Sequence, residues 1–535
     1  MIAAPRGGGV RGIPWPAVGV LGSALALRLV LAYVVFPGQG LVSDLNLFAD
    51  WATTLARVGP GGFYAAAGSA NYPPGYMYVL WLVGIAGNAV SGIFGVSADQ
   101  AVGLFLKLPA IGADIAIGGL LWWAGRRWFG GRAGVLAAAL YLVVPVTWYD
   151  SALWGQVDAV GTLVMLAALL LLVEGWSEPA AALAAFGVLV KPQDAICLVI
   201  VIPVLVRRHL LRVGSGPVPG LGRRLASLDG RLGGLLTRQG PIRLGTSAIA
   251  ALVVLVLPLL PFDIAALGPA SLADVPVIGH VAGLVGLFVS DGGQYGVLTA
   301  NAYNAWALVG GASLASVIGG SGGSWIADSL TVVAGLSAVT VGAALLALTG
   351  LLVAGGLLIR DDRLAIVLGF AVAAFAFYAL PTRVHERYLF PFFAPAALLA
   401  AGSLSAGLGY LGLGALNAVN LHAVLAAPLR IAGGGFGGGG EFVGGGFGGG
   451  GEFGGGGRGP GGSAGGFGGG SGVGSISLPF ADLARSELAV TLVAVGQAAA
   501  FVALLAAWFV VILRPNREPG ARALRRAAIR VSSLR

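Results

Sequence analysis

Long apolar runs recur along the chain from Pro14 to Leu513, several of them 18 residues or more with few charges. A run of that length spans a bilayer as a helix, because in lipid each backbone N–H and C=O needs an internal partner. The chain is therefore expected to be an all-α polytopic membrane protein. Only 10% of its 535 residues are charged, where a soluble domain carries about a quarter, and a soluble enzyme is excluded. A disulfide scaffold is excluded as well, since Cys197 is the only cysteine and lies in an apolar run.

Charge supplies the orientation. The net charge is +9, and the basic residues cluster at 126 to 132, 207 to 243, 360 to 363 and 514 to 535, between apolar stretches. This follows the positive-inside bias and is not a nucleic-acid footprint. A first helix over about 14 to 36 follows Arg6 and Arg11, with no cleavage site behind it, so it reads as retained with the amino terminus inside. Two apolar segments, 72 to 96 and 101 to 124, then precede the basic cluster at Arg126. If both crossed, that cluster would lie outside. The first is read as interfacial, because Tyr72-Pro73-Pro74-Gly75 restricts its start and Tyr76, Tyr78 and Trp81 favour the membrane surface.

Further spans follow at 133 to 149, 158 to 173, 179 to 191, 193 to 207, 246 to 262, 329 to 359, 364 to 380, 388 to 403, 406 to 428 and 488 to 513. About twelve helices result, with both termini cytoplasmic and a large first outside loop carrying juxtamembrane helices. Residues 263 to 328 read as another outside loop. Residues 1–430 form the expected membrane module, 431–487 an outside glycine-rich loop, 488–513 the last span and 514–535 a basic cytoplasmic tail. The tract from Gly433 to Gly474 cannot repay its ordering entropy and reads as a disordered linker.

Polar residues gather on the predicted outer side. Asp44 and Asp50 stand just beyond the first helix in an acid-poor loop, where a carboxylate can take a proton from an acceptor hydroxyl; two solvated carboxylates are the plainer reading. Trp148-Tyr149-Asp150 and Trp154-Gly155-Gln156-Val157-Asp158 offer rings, an amide and carboxylates suited to a sugar, or else to an interfacial aromatic belt. Lys191, one of two lysines among 31 basic residues, is costly in apolar surroundings unless it meets an anion or water. Thr382-Arg383-Val384-His385-Glu386-Arg387-Tyr388 adds guanidinium forks and an imidazolium suited to a lipid phosphate. Arg28, Lys107 and Asp114 lie within apolar helices, as a structural ion pair or as a translocation site. The four histidines are scattered and give no metal-ligand spacing.

In this order the motifs resemble the GT-C superfamily of integral-membrane glycosyltransferases, nearest to the dolichyl- and polyprenyl-phosphate-sugar-dependent glucosyl- and mannosyltransferases, over about residues 14 to 430. The family's first-loop Asp, followed seven residues later by Trp, is similar to Asp44 and Trp51; Tyr72-Pro73-Pro74 matches its Tyr-Pro-Pro element. Gln156 with Asp158, Lys191 to Gln193, and His385-Glu386-Arg387 match three further elements. The glycine-rich loop before the last helix departs from the pattern.

The resemblance implies an inverting hexosyl transfer, mannose favoured, from a polyprenyl-phosphate donor to a glycan, glycolipid or protein acceptor. It implies Asp44 as base, with Lys191, His385 and Arg387 on the donor phosphate and Arg383 as a substitute for one of them. Asp50, Trp51, Tyr72, Trp154, Gln156 and Asp158 are assigned to sugar or acceptor. No cofactor is required by this chemistry, and a divalent metal is left open. A transporter or lipid flippase built on Arg28, Lys107 and Asp114 is the alternative. Subtracting Lys107 and Lys191 from the 31 basic residues leaves 29 arginines, an excess that points to a GC-rich genome and a bacterial inner membrane.

Overall fold

A computed structural model describes residues 15–68, 70–211, 240–293, 296–309, 326–426, 474–475 and 478–514. Most of residues 433 to 474, read as a linker, and the tail beyond Arg514 lie outside the described residues. The architecture is helical, and strand pairing among the described residues amounts to two short two-stranded pieces and a few isolated bridges, two of them to His385.

Among the described residues six helical segments are long and apolar enough to cross a membrane: Trp15–Val35, Pro74–Phe94, Ala98–Phe129, Ala338–Ile359, Leu404–Leu425 and Glu487–Leu513. A bent pair, Gly131–Val143 with Pro145–Trp154, makes a seventh, its 52° break falling at Pro145, where a ring cannot continue the helix. Six more apolar helices are 10–17 residues long, Asp158–Val173 and Arg363–Ala379 among them. The chain is thus an integral membrane protein, and the expected dozen spans are approached only when the shorter helices are included.

Two buried clusters organise these helices. In the larger, Arg363–Ala379 and Phe390–Gly402 are buried almost all round and form the centre, against Leu108–Phe129, Asp158–Val173 and Ile196–Leu205. Cys197 is packed here. Large apolar side chains such as Leu351, Leu488 and Leu492 are exposed on the outermost helices, the surface a bilayer would cover.

The smaller cluster builds the roof of the site. Leu45, Phe48, Trp51 and Leu55 recur at helical spacing on Val42–Val58 and pack against Tyr76, Met77, Leu80 and Val83 of Pro74–Phe94. Each such side chain contributes about 1.5–3 kcal/mol when removed from water. Leu189, Phe262 and Leu284 complete the cluster.

Two expectations are corrected. Residues 263 to 328 are not simply a loop: they hold the 16-residue helix Ile278–Gly293, whose Leu284 and Leu287 enter this cluster. The span expected to start at 329 opens instead with a hairpin, Thr331–Val333 against Leu336–Ser337, and turns helical only at Ala338. Ala334 and Gly335 both have positive φ, 48° and 80°, as a tight two-residue hairpin turn demands.

Candidate active site

Asp44 stands in the first turn of Val42–Val58, where the helix dipole favours a carboxylate. Its Oδ2 accepts from Trp154 Nε1 at 2.9 Å and from Gln156 Nε2. Among the described residues no hydrogen bond takes Oδ1. Both donors come from the turn at 149–157, which Gly155 ends in the left-handed region at φ 86°, its amide and that of Gln156 donating to Asp150 O.

That turn is stapled from beneath. The Lys107 ammonium donates to the carbonyls of Ala152 and Leu153, at 2.9 and 3.1 Å, and to that of Gln39. Arg28 pairs with Asp114 at 2.8 Å, both fully buried, and donates to Thr147 and the Leu142 carbonyl. Asp114 also accepts from Tyr141 and Ser151. The three intramembrane ionic groups thus hold the frame of the turn, and Lys107 pairs with carbonyls rather than with Asp114.

Lys191 ends the helix Ser177–Val190 in extended backbone, φ −156° and ψ 139°, as the following Pro192 requires. Its ammonium is buried and donates to Asp158 Oδ1 at 2.8 Å, between the rings of Tyr72 and Tyr388 at 5.8 and 5.2 Å. Asp158 Oδ1 also accepts from Gln193. Arg387 lies 3.7 Å from Asp158 Oδ2, over the Trp154 ring, and donates from Nη1 to Glu386 at 2.8 Å. Burial works against the Arg387 charge, yet Glu386, Asp44 and Asp158 outweigh it and hold its pKa well above the ordinary value.

Asp44, Tyr72, Gln156, Lys191, Arg383, His385 and Arg387 line one cavity of about 300 Å³. Seven of the eleven expected site residues therefore converge from across the sequence. Arg383 stands at its edge, salt-bridged to Asp328 at 2.6 Å in a left-handed backbone conformation, φ 65°. Burial, then Arg387 and Lys191, push the His385 imidazole well below its usual range, which favours the neutral ring over the expected imidazolium.

Four assignments shift. Asp50 is exposed and does not line the cavity, and its pKa is raised by partial burial and then by Asp99. Trp51 is core, packed edge-on and tilted among Phe48, Phe63 and Tyr72. Trp154 and Asp158 are fully buried behind the cavity wall, serving Asp44 and Lys191 respectively. Sequence reading missed Asp291, which lines the cavity from the end of Ile278–Gly293 with its Oδ1 accepting from Asn71 at 2.9 Å. The apolar period of Val281, Leu284 and Phe288 was the available signal. Among the described residues no three His, Cys, Asp or Glu side chains gather as metal ligands.

Helices of membrane length around a polar cavity lined by Lys191, Arg383 and Arg387 together with Asp44 and Asp291 define a polytopic membrane protein with a charged internal site. Residues 73–219 match the family described as dolichyl-phosphate-mannose-protein mannosyltransferase. The match bears out the resemblance to GT-C glycosyltransferases over a stretch that holds Gln156, Asp158 and Lys191; it leaves Asp44 and His385 to Arg387 outside. No curated protein matches the chain. Two structures of ArnT from Cupriavidus metallidurans, one apo and one bound to undecaprenyl phosphate, are similar to it with TM-scores of 0.42 and 0.41 at 18% identity. Each alignment covers 77% of this chain and 66% of ArnT, just under two thirds. The apo oligosaccharyltransferase of Archaeoglobus fulgidus gives 0.37 at 16% identity, over 75% of this chain and 52% of that one.

Proposed function

We propose that this chain is an inverting glycosyltransferase that moves a hexose, mannose favoured, from a polyprenyl-phosphate donor to an acceptor hydroxyl at the outer face of the membrane. The observation that carries the reading is the shared cavity: Asp44, gripped on one oxygen by Trp154 and Gln156, lines it together with the cations Lys191 and Arg387.

The chemistry balances with these groups alone. Asp44 takes the acceptor's hydroxyl proton as that oxygen attacks the anomeric carbon. The anomeric C–O bond to phosphate breaks, and polyprenyl phosphate leaves with the electron pair. Lys191 has one of its three donors engaged, by Asp158, and Arg387 spends only Nη1, on Glu386, among the described residues. Their remaining N–H groups suit the departing phosphate, and a neutral His385 adds a further donor or gains its proton as the anion arrives. Single displacement from an activated donor requires no second catalytic carboxylate, unlike glycosidic hydrolysis.

The mannose assignment rests on the resemblance to bacterial members and on the matched family's name, which also names protein as acceptor; a glycan or glycolipid acceptor suits the cavity's chemistry equally. On this reading residues 1–430 form the transferase module, 431–487 an outside loop, 488–513 the last span and 514–535 the cytoplasmic tail. Arginines paired with Glu174, Glu178 and Asp361 fall in the segments assigned to the cytoplasmic side of a bacterial inner membrane, with both termini there. Pro74–Phe94 is interfacial in this topology, supported by its packing on Val42–Val58.

The test is transfer of labelled mannose from polyprenyl-phosphate mannose by the purified full-length chain in detergent. Label should move to acceptor, with release of polyprenyl phosphate. A transporter or flippase would give none, and Arg28, Lys107 and Asp114 are already engaged by protein groups that translocation would have to displace.

A further inference from the structure

We propose that Asp291 is the residue that recognises the donor sugar, accepting hydrogen bonds from its hydroxyls; this rests on the transferase reading above. Asp291 lies in the last turn of Ile278–Gly293 and lines the cavity with Asp44 and Lys191. Its helix is fixed by Leu284 and Leu287 in the cluster that holds Phe48 and Tyr76. Asn71 Nδ2 donates to Oδ1 at 2.9 Å, and among the described residues nothing else hydrogen-bonds to this carboxylate, so Oδ2 keeps its full accepting capacity.

Position decides what it accepts from. Asp291 lines the same cavity as Lys191, Tyr72 and Tyr388 and interacts electrostatically with each, so it faces the space of the cation proposed for the donor phosphate. A carboxylate there repels the phosphate itself and suits the uncharged part of the same molecule. Two oxygens with one fixed by Asn71 give a directed acceptor for sugar O–H groups, and charge-assisted bonds of this kind are short and strong. A site built to bond a hydroxyl discriminates steeply against a ligand lacking it. The cavity, about 300 Å³, is at the small end of ligand pockets, so recognition falls to few groups.

The experiment compares binding of polyprenyl-phosphate mannose and of bare polyprenyl phosphate to the full-length protein in detergent. Asp291→Asn should weaken the mannosyl lipid by about tenfold or more and leave the bare lipid within about twofold. Asn71→Leu, which frees the carboxylate to rotate, should shift the same ratio in the same direction. Equal loss for both lipids would make Asp291 a structural or phosphate-site residue and overturn the proposal. So would unchanged binding with a raised KM for acceptor. If the wild-type protein binds neither lipid, the transferase reading itself falls, a result distinct from both.

Discussion

The indole N–H of Trp154 donates to Asp44 Oδ2 at 2.9 Å, joining two residues 110 positions apart. Trp154 is fully buried, so its ring is fixed and its donor is a rigid stop for the carboxylate. Trp154→Phe removes that N–H and keeps most of the packing. Transfer should fall about tenfold in kcat while donor KM stays within about threefold, because orientation and not charge is lost. Steady-state kinetics in detergent read the split, and a change confined to KM would contradict this role.

Lys191 and Asp158 form a buried pair at 2.8 Å. Lys191→Met leaves Asp158 with Arg387 at 3.7 Å as its nearest cation, and stability should fall by about 3–5 kcal/mol. Adding Asp158→Asn removes the stranded charge. The double variant should recover most of the lost Tm yet still use the polyprenyl-phosphate donor poorly. Recovery of both would show that the pair is only structural.

Gly75 begins the helix after Tyr72-Pro73-Pro74, and a Cβ there would stand 2.5 Å from the Leu189 carbonyl, two residues before Lys191. Gly75→Ala should therefore cost about 1–3 kcal/mol and impair donor use by displacing Lys191. Gly92 lies on the same helix with open space around it, so Gly92→Ala should be neutral or slightly stabilising. Thermal unfolding of the two variants is the comparison, and equal effects would refute the close-packing argument.

How much of this was legible from sequence follows from which interactions are local. The helices were legible because apolar runs are a local signal, and so was the Tyr-Pro-Pro-Gly start. Asp44 against Asp50 was half legible. Val42–Val58 is a helix with Leu45, Phe48, Trp51 and Leu55 inward, and Asp50 shares the exposed face of Ser43 and Asn46. Read as a loop, the stretch made the two carboxylates equivalent; read at a period of 3.6 it separates them.

Aromatic residues misled for a related reason. Trp51 and Trp154 carry the same composition signal as a sugar platform, and only three-dimensional packing makes one core and the other a clamp on Asp44. Asp291 was missed because it is one acidic residue in a segment taken for a loop, where only the helical period of Val281, Leu284 and Phe288 gives a local mark. The Lys191–Asp158 pair spans 33 residues, and no spacing rule connects its ends.

His385 is pushed below its usual pKa near 6.5 by burial and by Arg387 and Lys191. The unfolded chain then binds the proton more readily than the folded one, so this residue costs stability as pH falls below about 6.5 and costs nothing above it. The wild-type Tm should drop on acidification through that window, and His385→Gln should drop less. An identical pH profile for the two proteins would show that the ring is not held neutral.

The central claim is that Asp44 is the base. Asp44→Asn keeps the shape and removes the basic oxygen, so sugar transfer from polyprenyl-phosphate mannose should fall by about 100-fold or more with unchanged yield and nearly unchanged donor binding. Asp50→Asn, on the exposed face of the same helix, should stay within a few-fold of the parent. A fully active Asp44→Asn enzyme would contradict the account, and a loss confined to Asp50→Asn would move the base six residues along the chain.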